Sequence, residues 1–123
     1  MTQPNPLPDE QFRRIIGPLN ASAASSAHRH EGREFPRYAV HASAKCQGLD
    51  GSGLPIGVPF KANVMNISQG GALLDTGSMC DAPLIHVLIM EDHQILAETI
   101  IAVVRVGAGT VAGYFVKKPV VAP

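Results

Sequence analysis

In RYAVHASAKC, residues 37 to 46, the apolar side chains recur every second position. Tyr38, Val40, Ala42, Ala44 and Cys46 fall on one side, and Ala39, His41, Ser43 and Lys45 on the other. A period of two describes a strand with one buried face. The next stretch, LDGSGLP, has the Asp-Gly and Gly-x-Gly of a turn. A second alternating run follows, with Val58, Phe60, Ala62 and Val64 facing one way and Pro59, Lys61 and Asn63 the other, reaching Asn66 at its end. Ser68-Gln69-Gly70-Gly71 then breaks the pattern. Further strands are expected at 72–76, 84–90, 94–106 and 111–117, joined by the bend 77–83, the polar link Glu91-Asp92-His93 and the turn GAGT. Six strands with short connections and no helix after residue 30 indicate an all-β, antiparallel barrel or sandwich.

The composition agrees. The 123 residues give one domain, 46% hydrophobic but only 5% aromatic, with no Trp, 12 Gly and 10 Pro, as expected for short apolar strands between many turns. Ten basic residues balance ten acidic ones. That excludes binding to a nucleic-acid polymer by massed positive charge, so any anion site must be local. The start, MTQPNPLPDEQF, has neither the basic residues nor the apolar run of an export signal, and no stretch approaches the ~20 apolar residues of a membrane span. The expected location is the cytoplasm, where Asn66-Ile67-Ser68 is not a glycosylation acceptor.

Residues 1–28 are expected to be a flexible N-terminal tail, 29–118 the barrel domain and 119–123 a C-terminal tail. Within the first, Asp9 to Ile16 is a possible short helix whose Phe12, Ile15 and Ile16 could dock on the domain or on a partner. Cys46 and Cys80 are too few and too far apart for a disulfide framework or a zinc site. They read as packed or half-exposed thiols. The five histidines have no companions at metal-ligand spacing. No paired carboxylates and no Ser-His or Cys-His arrangement suggest an enzyme, and SQGG lacks the Lys-Ser/Thr of a phosphate loop.

Two irregular places carry polar chemistry. In HRHEGREFPRY, before the first strand, Arg33 and Arg37 are four apart, and Pro36 keeps the segment out of a regular helix. Two guanidinium forks on a bent arm suit phosphate oxygens, the O6/N7 edge of guanine, or stacking on a base. At the end of the second strand, Asn66 and Ser68 offer short polar groups, and Gly70 and Gly71 permit positive φ and close approach of a ligand. Read alone, the first is a solvated surface pair and the second a turn bonded to its own backbone.

Together, Arg-x-x-x-Arg before strand one and Asn-x-Ser-x-x-Gly at the end of strand two resemble the PilZ domain of bacterial signalling proteins. GALLDT, IIAVVRVG and AGYFV follow in the family's order of elements, so the resemblance covers roughly residues 29 to 118. It implies a six-stranded antiparallel barrel with a flexible N-terminal arm that binds cyclic di-GMP, needs no cofactor or metal, and passes the bound state to a downstream protein. On this resemblance Arg33 and Arg37 supply the arm, and Asn66, Ser68 and Gly71 the barrel half of the site. Gly70 and Arg105 are further candidates. Gly32 stands where many members have another arginine, and Arg29 on the same arm is its nearest replacement. The alternative is a ligand-independent adaptor of the same fold that acts through protein contacts, for example in pilus assembly.

Overall fold

The computed structural model describes residues 3–17, 37–78 and 80–117. One helix, α1 (Asp9–Ile16), precedes six strands: β1 (Tyr38–Leu49), β2 (Phe60–Ser68), β3 (Gly71–Asp75), β4 (Leu84–Glu91), β5 (Gln94–Val106) and β6 (Thr110–Val116). They form a closed barrel in the order β1-β2-β3-β6-β5-β4, every neighbour antiparallel, with β1 and β4 completing the circle.

Alternation puts the core inside. Val40, Ala44 and Cys46 are buried while Ala39, His41, Ser43 and Lys45 are exposed. The interior is filled by β-branched and aliphatic side chains such as Val64, Leu74, Ile85, Val87 and Ile89, together with Phe115. Each contributes about 1.5–3 kcal/mol by leaving water. β5 departs from alternation because Thr99 to Ala102 are all buried. Here the outer face is covered too, where Ile100 and Ala102 join Leu49, Leu84 and Val116 in a second cluster. Cys46 and Cys80 are free thiols. Burial, with Cys80 nearby, pushes the Cys46 thiol up to about 12.

Val58 departs from its expected place on the inner face of β2. It precedes the strand and is 80% exposed. Pro59 has no N–H to give a ladder, and pairing with β1 starts at Phe60 opposite Cys46.

Residues 3–17, within the stretch expected to be a flexible tail, are packed on the barrel. α1 forms over the expected residues, with Asp9 and Glu10 at its positive end and Arg13 and Arg14 at its negative end. So short a helix is marginal alone, and docking supplies what it lacks. Ile15 and Leu7 are buried in the same cluster as the barrel interior, and Phe12 and Ile16 pack against that cluster. The Phe12 ring meets Tyr38 edge-on at 5.7 Å. The segment thereby covers the end of the barrel where β1 begins and β2 finishes.

Candidate functional site

Three irregularities in the ladders lie close to this end. β2 holds one extra residue against β3, since Val64 pairs with Leu74 and Asn66 with Leu73, leaving Met65 between them. β1 shifts opposite the same place, between Ala39 and Ala42. β5 has Val104 as an extra residue between Val103 and Arg105 where it pairs with β6. Such bulges bend a strand and re-aim its side chains. The bulge at Met65, which is 44% exposed, reverses the phase of β2. Ile67 turns fully inside, and Asn66 and Ser68 emerge half-buried on the outer surface.

The re-aimed residues line a cleft of about 460 Å³ that runs from the start of β1 across β2 and β3 to β6 and β5. Arg37, Asn66, Ser68, Gly70, Gly71 and Arg105 all border it. The structure therefore gathers these expected residues at one place. Arg29 and Arg33 lie outside the described residues. Among the described residues no Asp or Glu lines the cleft. Two guanidiniums, those of Arg37 and Arg105, border it in a chain of zero net charge, and such forks suit anionic oxygens.

Ser68 has structural work in the turn. Its Oγ accepts hydrogen bonds from the N–H groups of Gly70 (3.2 Å) and Gly71 (3.1 Å), fixing the two-residue connection between β2 and β3. The glycines also differ from expectation. Gly17, Gly53, Gly57 and Gly77 take positive φ, and Gly70 and Gly71 do not. What approaches Gly71 is β6, since a Cβ there would stand 2.3 Å from the Gly113 carbonyl oxygen. Gly113 is in turn pressed on β5, where its own Cβ would meet the Ala102 carbonyl oxygen at 2.0 Å. Bare backbone therefore forms part of the cleft floor.

The opposite wall is Arg105 and Tyr114. Arg105 pairs with Ala112, and Tyr114 pairs with Ala102 on one side and Gly71 on the other. The Tyr114 ring is 39% exposed and borders the cleft. Sequence reasoning missed it. The available signal was its place one residue before the buried Phe115, which in an alternating strand turns Tyr114 outward.

Other features carry less convergent chemistry. A larger groove of about 790 Å³ sets Lys45 and Lys61, cross-strand partners, against Asp75 and Asp92. His86 bonds Glu98 at 2.6 Å across β4 and β5 on the outer face. Among the described residues no group of three His, Cys, Asp or Glu could hold a metal ion, and no helix is long and apolar enough to cross a membrane. No family model matches the chain, and no curated protein does.

Proposed function

We propose that this protein is a PilZ-like receptor for cyclic di-GMP that binds the dinucleotide in the cleft between Arg37, the β2–β3 turn and the Arg105–Tyr114 wall. The observation that carries this reading is the meeting of Arg37 with Asn66, Ser68 and Gly71, distant in sequence, in one cleft. A cyclic dinucleotide has two phosphates, two flat guanines and polar base edges. Arginine forks suit phosphates and the guanine O6/N7 edge, the face of Tyr114 suits stacking, and the Asn66 amide offers a donor and an acceptor to a base edge. Arg33 and Arg29 belong to the same arm in sequence and would add guanidinium groups. The protein performs no chemical step in this reading. It acts in the cytoplasm, and the occupied cleft presents a surface to a downstream protein in motility, biofilm or exopolysaccharide control.

The second reading is the ligand-independent adaptor. It is favoured by the structural duties of Ser68, whose Oγ bonds the turn, and of Gly71, which β6 leaves no room to replace. Titration calorimetry separates the two. Saturable heat with micromolar cyclic di-GMP, lost in Arg37→Ala and reduced in Arg105→Ala, supports the receptor. Absence of binding by the intact protein leaves the adaptor.

A further inference from the structure

The turn that rims the cleft is held by hydrogen bonds to Leu7 and Asp9 and to β6. The Leu7 N–H donates to the Gln69 carbonyl oxygen at 2.8 Å, and the Gln69 side-chain Nε2 donates back to the Leu7 carbonyl oxygen at 2.8 Å and to Asp9 Oδ1 at 2.5 Å. The Phe115 N–H donates to the Gly70 carbonyl oxygen, and the Asn5 N–H to the Phe115 carbonyl oxygen, both at 2.8 Å. Leu7 itself is 3% exposed. A two-residue hairpin connection needs none of these bonds. Pairing of Ser68 with Gly71 and the two bonds to Ser68 Oγ already close it. The contacts of Gln69 tie it to Leu7 and Asp9, about sixty positions away, neither of which lines the cleft.

We infer that Gln69 is a positioning residue, which with the segment 3–9 sets the turn that presents Asn66, Ser68 and Gly71 to the cleft. The turn and the Arg37 side of the cleft then depend on the same stretch of chain. Gln69 links the turn to Leu7 and to Asp9, the first residue of α1, and α1 packs against β1, which starts next to Arg37. Occupancy of the cleft and docking of the N-terminal segment are coupled in this arrangement, and such coupling is reciprocal. The coupling to ligand rests on the receptor reading; the hold on the turn does not.

Amide exchange on the unliganded full chain tests the hold. Gln69→Ala should exchange the Gly70 and Gly71 amides roughly ten-fold faster, the effect of losing a hydrogen bond or two, and leave Val87 in β4 unchanged. Asp9→Ala should show part of the effect and Asp9→Asn, which keeps an acceptor oxygen, less of it. The same Gly70 and Gly71 rates in Gln69→Ala and wild type would overturn the inference, and Asp9→Ala decides it should Gln69→Ala not fold. Titration with cyclic di-GMP tests the coupling: Gln69→Ala should bind roughly ten-fold more weakly, and ligand should slow exchange at Leu7 in the wild type. Equal affinity and an unchanged Leu7 would refute the coupling. A wild type that does not bind removes the receptor reading and its coupling, while the exchange rates of the turn still decide the role of Gln69.

Discussion

A Cβ on Gly71 would stand 2.3 Å from the carbonyl oxygen of Gly113 on the neighbouring strand. Backbone, not a flexible side chain, occupies the space, so nothing yields cheaply. Gly71→Ala should therefore push β3 off β6 and destabilise the barrel by about 1–3 kcal/mol, the usual cost of overpacking. Urea unfolding measures this. An unchanged midpoint would show that the strands are not in such close contact.

α1 belongs to the core through Ile15, and its polar face adds little. Ile15→Ala should cost about 2–5 kcal/mol in urea unfolding, as for other buried aliphatic truncations. Glu10→Ala, which removes the exposed 2.6 Å ion pair with Arg14, should change stability by less than about 0.5 kcal/mol. Equal effects from the two substitutions would contradict a docked helix.

The β4–β5 hairpin turns through Asp92 and His93 at φ 49° and 68°. A left-handed conformation costs a residue with a Cβ about 1–2 kcal/mol, and glycine gives back about 0.5–1 kcal/mol of that in chain entropy. His93→Gly should raise the thermal midpoint by a few degrees. A fall would mean that the His93 side chain makes a contact worth more than the strain.

Acid should loosen the 50–54 loop before it affects the barrel. The Asp50 carboxylate accepts bonds from the Ser52 hydroxyl (2.7 Å) and the Leu54 (3.0 Å) and Ser52 (2.9 Å) N–H groups, which hold its pKa below the ordinary 3.8. A pKa lowered by folding gives stability that is complete above the unfolded value and is lost as pH falls through the folded one. Carbon-detected titration of Asp50 should show a midpoint below 3.8, with exchange at Ser52 and Leu54 accelerating over the same range. A midpoint at or above the ordinary value would contradict the capped turn.

Much of this was legible in the residues. The strict alternation of 38–46, the polar breaks at 50–53 and 91–93, and the order of six strands follow from side-chain type and spacing. The strand pattern left barrel and sandwich both open, and the family resemblance pointed to the closed ring. What escaped reading depends on long-range contact. Burial of Leu7 and Ile15 requires the barrel end that they cover, and the two-faced burial of Thr99 to Ala102 requires Leu49, Leu84 and Val116 to reach the outer face of β5. For the site, the gathering of Arg37, Asn66, Ser68 and Gly71 was legible as motifs, with Arg105 a further candidate outside them. Their common orientation was not, because no local residue type announces a bulge at Met65. Tyr114 was missed because AGYFV was read for strand order alone and neither polar motif contains it.

The bulge gives the motif a reading frame. A strand that loses or gains one residue swaps the side on which every later side chain emerges. Were β2 regular through Met65, with no bulge, Asn66, Ser68 and Gly71 would keep their spacing to the letter, yet the amide and the hydroxyl would point into the barrel and Ile67 would stand in solvent. Two chains with the same six-letter pattern can thus differ completely in what they offer a ligand, and what decides between them is whether the strand leading into the pattern bulges or runs straight.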